Sequence, residues 1–147
     1  MKHQIILSWL MLTSPAFAAD TNQPAQSLPS DNAQIQRGKY LVERVAMCAE
    51  CHSPRDEKGQ YDRDHWLQGN ILDYKSTTTR PFVPIAPPIA GLPSYASDEL
   101  AVKFFETGLT ANGKPAQPPM PQFRLNHDDA VAVVAYLRSL KPTADSQ

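Results

Sequence analysis

Apolar and small residues recur three and four positions apart from Ile35 through Gly38, Val42 and Val45 to Ala49, which places them in one stripe along an amphipathic helix. That helix is expected to begin at Ala33, with Ser30, Asp31 or Asn32 as its cap, and to deliver the chain into Cys48. A second helix is predicted over Asp98–Thr107. Ser97 suits its cap, Asp98 and Glu99 suit its positive dipole end, Gly108 follows as terminator, and Leu100, Phe104 and Phe105 form its apolar side. The last helix is predicted from His127 to Leu140, capped by Asn126, with Asp128 and Asp129 in its first turn and Pro142 preventing continuation. Ala130, Val133, Val134, Leu137 and Leu140 give it an apolar face. No alternating run is long enough to predict a strand, and no segment repeats.

Between these helices lie two long stretches without a helical or strand pattern. Residues 53–95 hold Pro54, Pro81, Pro84, Pro87, Pro88 and Pro93, and so many missing N–H donors exclude a long helix or a central strand. Residues 109–125 hold Gly113, Pro115, Pro118, Pro119 and Pro121 around Met120. Long irregular loops are unusual in a compact domain, and they make sense here if they wrap a large apolar cofactor.

The ends of the chain read differently. Lys2 and His3 start a segment whose apolar run, Ile5 to Leu12, is broken by Pro15 ahead of Ala16-Phe17-Ala18, the pattern of an export signal over residues 1–18. Its apolar run is shorter than the roughly 20 residues that span a bilayer, so no integral membrane segment is expected after cleavage; retention as an N-terminal anchor is the alternative. The expected location is the periplasm, with a flexible tail over residues 19–32, one domain over 33–142 and a short tail over 143–147. Without Lys2, 13 basic residues face 15 acidic ones, a balance that argues against nucleic acid as a partner. Cys48 and Cys51 are the only cysteines, too close in sequence to build a disulfide framework.

Those cysteines belong to Cys48-Ala49-Glu50-Cys51-His52. Two thiols three positions apart on a helical turn can reach the two vinyl groups on one edge of a haem, and the next residue then points its imidazole at the iron, so the pattern reads as covalent attachment of one haem c. A zinc site would need a fourth ligand such as His65 or His127. A redox dithiol would sit in a βαβ pattern that the chain lacks. For the second axial position, Met47 and Met120 are the methionines beyond the signal, and Met47 adjoins an anchoring cysteine, which leaves Met120 in Pro118-Pro119-Met120-Pro121. Bis-histidine ligation through His65 or His127, or an open position, remains the alternative, as does a Met120 that only fills the core. His52 is expected to donate its second ring N–H to a backbone carbonyl. Trp66, Tyr74 and Arg80 are candidates for the haem propionates, and Leu41, Val45, Leu92, Phe104, Leu125 and Val134 for the pocket wall.

Together these residues resemble the class I cytochromes c. Gly38 with Tyr40 and Leu41, set against Tyr136 and Leu137, is similar to the glycine and aromatic at which the N- and C-terminal helices of that family cross. The resemblance runs from about Gln36 to Lys141 and is closest to the cytochrome c subunits and domains of periplasmic alcohol and aldehyde dehydrogenases. It is carried by Cys51-His52-Ser53-Pro54-Arg55-Asp56, Trp66-Leu67-Gln68-Gly69, Pro87-Pro88-Ile89-Ala90-Gly91-Leu92, residues 108–113 and Pro118-Pro119-Met120-Pro121. Those subunits often carry several haems and a membrane anchor, whereas this chain has one haem motif. The resemblance implies an all-α fold of about three main helices. It also implies a one-electron carrier between a periplasmic dehydrogenase or respiratory complex and a terminal oxidase or other acceptor. A haem enzyme or gas sensor with an open sixth position is the competing expectation, and it would need a labile iron site.

Overall fold

The computed structural model describes residues 31–142; the expected export signal, nearly all of the expected N-terminal tail and the expected C-terminal tail lie outside them. The first helix, α1, spans Asp31–Tyr40 and so starts two residues ahead of the expected Ala33. It does not run on evenly to the cysteines. Leu41–Val45 forms a π-helical turn, in which Ala46 N–H reaches the Leu41 carbonyl at 2.8 Å. The chain then reverses at Met47, whose φ is 48°. The wider turn keeps Leu41 and Val42 buried and turns Val45 to solvent at 55% exposure, so Val45 leaves the apolar stripe that its spacing predicted. A single turn, α2, follows over Ala49–His52.

The other two helices match their local signals. In α3, Asp98–Thr107, the Ser97 hydroxyl accepts from Leu100 N–H, and Gly108 ends the helix in the left-handed region with φ 67°. In α4, His127–Ser139, Asn126 Oδ1 accepts from Asp129 N–H at 2.8 Å. The loop over residues 53–95 contains one short antiparallel ladder, β1 Asn70–Ile71 against β2 Ile85–Ala86, in the register Asn70 to Ala86 and Ile71 to Ile85.

Helices α1 and α4 cross at Gly38, where a Cβ would fall 1.8 Å from the Ala132 carbonyl oxygen. Only glycine permits that approach, and the contact is framed by Arg37 Nε–H donating to Asp129 Oδ1 at 2.9 Å and Tyr136 O–H donating to Glu43 Oε1 at 2.5 Å. The core behind this crossing gathers Val42, Leu67, Leu92, Val133 and Leu137. Arg138 fastens α4 to the loop after β2: it pairs with Asp98 at 2.7 Å and donates to the carbonyls of Gly91 and Leu92 at 2.7 and 3.3 Å and of Tyr95 at 3.1 Å. No helix among the described residues is long and apolar enough to cross a membrane.

Candidate functional site

Cys48 caps α2 and His52 ends it, held by His52 N–H to Cys48 O at 2.9 Å and Cys51 N–H to Cys48 O at 3.2 Å. One helical turn therefore carries both sulfurs and the imidazole. His52 is 6% exposed, and its Nδ1–H donates to the Pro87 carbonyl at 2.7 Å. A carbonyl only accepts, so the bond fixes the proton on Nδ1 and leaves Nε2 with its lone pair. Burial lowers the His52 pKa more than the Pro87 bond raises it, which favours the neutral ring that a metal needs. Two further bonds hold the turn: Gly69 N–H to His52 O at 2.9 Å, and Leu67 N–H to the Oγ of the fully buried Ser53 at 2.8 Å.

Burial pushes the Cys48 thiol up to about 11, so it stays protonated at neutral pH. A redox dithiol works through a thiolate of depressed pKa, which this environment opposes. Among the described residues, no three His, Cys, Asp or Glu side chains gather into a group able to hold a metal ion, as a zinc site would require.

Cys48, Cys51 and His52 open onto a cavity of about 450 Å³, and Met120 lines the same cavity. Leu92, Phe104, Phe105 and Ile89 supply much of its apolar wall. The Met120 loop is pinned by Val83 N–H to Pro118 O at 2.8 Å, Met120 N–H to Gln117 O at 3.0 Å and Leu125 N–H to Phe105 O at 3.0 Å. The family model of cytochrome c matches residues 35–141. The chain belongs to the cytochrome c family.

Two relatives agree with that membership. The chain is similar to the fructose dehydrogenase cytochrome subunit of Gluconobacter japonicus, 31% identical over 120 residues that make up 78% of this chain and 24% of the relative. It is also similar to a diheme cytochrome c-type protein of Cereibacter sphaeroides, 32% identical over 108 residues, 70% of this chain and 34% of the relative. The chain thus spans about a quarter and a third of these two proteins. Membership marks residues 35–141 as an electron-transfer domain, and it implies covalently bound haem c. The residues present fit such a group: two thiols on one turn, an imidazole with a free Nε2 and a thioether share an apolar cavity.

Of the residues weighed from the sequence, several lie away from this cytochrome's cavity, the two alternative histidines among them. His65 and His127 do not line the cavity; their side chains are 56% and 73% exposed and pair with Asp62 and Glu106. Trp66 packs edge-on to Tyr61 beneath Arg63, and neither it nor Arg80 lines the cavity. Tyr74 lies outside the lining too, with its hydroxyl 3.8 Å from Cys51 Sγ. Of the predicted wall, Leu92 and Phe104 are cavity residues. Leu41 and Val134 are buried elsewhere in the core, Leu125 is partly buried, and Val45 is exposed. Phe105, Ile89 and the segment Thr110 to Gln117 are wall residues that the sequence reading missed. Phe105 had a signal, since it follows Phe104 in a helix whose apolar face is broad.

Proposed function

We propose that this cytochrome c binds one haem through Cys48 and Cys51, with His52 Nε2 and Met120 Sδ as axial ligands, and works in the periplasm as a one-electron carrier. The observation that carries the reading is the His52 Nδ1–H bond to Pro87, which leaves the free ring nitrogen in the cavity that Met120 also lines. The bound haem supplies one-electron chemistry at its iron, and a histidine with a methionine raises its potential. The protein's own residues do the rest. The Pro87 carbonyl holds the His52 ring in one tautomer, the proline-flanked loop presents Met120 with little freedom left to lose, and the apolar wall keeps water away.

The expected signal at residues 1–18 supports export. The kinship with a fructose dehydrogenase cytochrome subunit supports a periplasmic dehydrogenase as electron donor. A terminal oxidase or another respiratory acceptor would take the electron onward. The test is a visible spectrum of the exported protein, oxidised and reduced, with carbon monoxide added to the reduced form and with Met120→Ala alongside. Wild type should show a c-type spectrum with a weak long-wavelength sulfur-to-iron band and ignore carbon monoxide, and the variant should lose both properties. A wild type that binds carbon monoxide readily would overturn the Met120 assignment.

A further inference from the structure

The lining of the cavity carries very little charge. Lys114 is the single Lys, Arg, Asp or Glu among the lining residues, and Thr110, Asn112 and Gln117 of the same segment add neutral polar groups. This segment is a tight hairpin in which Leu109 bridges Pro115, closed by Thr110 N–H to Lys114 O and Gly113 N–H to Thr110 O, both at 2.8 Å. Asn112 turns its oxygen inward: Oδ1 accepts from the Thr110 hydroxyl at 2.5 Å and from Lys114 N–H at 3.4 Å. Its two Nδ2 N–H groups are thereby left for another acceptor. Lys114 and Asn112 are exposed at the cavity's edge, and Lys114, like the other described lysines, has no carboxylate partner among the described residues, so its charge is available to a bound anion.

A haem brings two propionate carboxylates on the edge away from its vinyl groups, and a carboxylate against an apolar wall is unfavourable unless it is paired. Trp66, Tyr74 and Arg80, the residues that sequence suggested for this task, do not line the cavity. We infer that Lys114, with the Asn112 amide beside it, receives a haem propionate and is a further binding residue of this cytochrome. The inference rests on the haem reading above. Its physical content is a cation on the cavity's lining that compensates an anionic group of the cofactor.

The test uses the holoprotein and its midpoint potential at fixed ionic strength, comparing Lys114→Met, Lys114→Arg and Lys103→Met. Lys103 is an exposed lysine on α3 that does not line the cavity. Loss of the cation leaves a propionate charge uncompensated, which favours ferric iron. Lys114→Met should therefore lower the potential by a several-fold change in the redox equilibrium, where tenfold corresponds to about 59 mV for one electron. Lys114→Arg should stay near wild type, and the propionate carboxylate band in the reduced-minus-oxidised infrared spectrum should move only in Lys114→Met. A Lys114→Met potential equal to that of Lys103→Met, with an unmoved band, would overturn the inference while leaving the haem reading intact. A colourless wild type would sink both.

Discussion

Gly38 lies so close to Ala132 that a Cβ built on it falls 1.8 Å from the Ala132 carbonyl oxygen and 2.8 Å from Tyr136 Cβ. The first of those atoms is backbone and cannot swing away, so a methyl group here must push the helices apart. Gly38→Ala gains up to about 1 kcal/mol of helix propensity and loses more through overpacking, typically 1–3 kcal/mol and here at the upper end because a backbone atom is struck. The expected net loss is about 2 kcal/mol, read as a lower urea midpoint with the visible spectrum retained. A neutral or stabilising Gly38→Ala would contradict this crossing geometry.

Arg138 donates to three backbone carbonyls and one carboxylate, and two of those carbonyls belong to Leu92 and Tyr95 in the cavity wall. Lysine keeps the charge and loses the planar fork. Arg138→Lys should therefore destabilise by about 2 kcal/mol, since carbonyls lose their donors. Asp98→Asn, at a largely exposed ion pair, should cost under about 1 kcal/mol. Equal losses in the two variants, measured by chemical unfolding, would mean that the ion pair and not the fork fastens the loop.

Tyr136 donates to Glu43, and burial, followed by that bond, pushes its pKa up to about 12 from an ordinary 10.0. The folded state keeps the proton after the unfolded chain has begun to release it. Its stabilisation is thus fully present below pH 10 and is lost as the pH rises from about 10 to 12, by about 2–3 kcal/mol. Tyr136→Phe should be less stable at pH 8 and should lose less stability than wild type between pH 8 and 11. Parallel pH profiles would remove this tyrosine as a source of alkaline sensitivity.

Without the cofactor, the apolar wall of a cavity of about 450 Å³ that opens to solvent is left facing water. Losing the burial of that wall and of the cofactor weighs heavily against a total stability of only about 5–15 kcal/mol for a small domain. The double variant Cys48→Ala, Cys51→Ala, prepared free of haem, is expected to show no cooperative thermal transition and little near-ultraviolet circular dichroism. A sharp transition close to that of the holoprotein would show that the polypeptide core suffices.

What the sequence makes legible is what is encoded nearby in the chain. Ser97, Gly108 and Asn126 are local caps, and α3 and α4 follow them closely. The spacing of Cys48, Cys51 and His52 and the shortage of methionines single out four side chains that line one cavity. The break after Tyr40 is not legible, because the π turn answers to how Leu41 and Val42 pack against distant parts of the chain, while the 3.6-residue period extends smoothly through Val45. Nor is the partner of His52, since any of the many loop carbonyls satisfies the rule and only the folded loop selects Pro87. Lys114 escapes for a related reason: it is a surface lysine in a polar turn, and only the fold shows that its hairpin edges the cavity.

The mating of α1 with α4 also sets a clock. Arg37 meets Asp129 across 92 positions and Glu43 meets Tyr136 across 93. At about 5–20 residues per second, a ribosome that has released the first of each pair delivers the second only after a delay on the order of 5–20 s. Cys48 and Cys51 follow Arg37 and Glu43 within a few residues, so for most of that interval the segment carrying them has been made and has no closing helix behind it. The connectivity of the chain thus puts presentation of the two thiols early and enclosure last, a sequence of events that suits chemistry performed on an open chain.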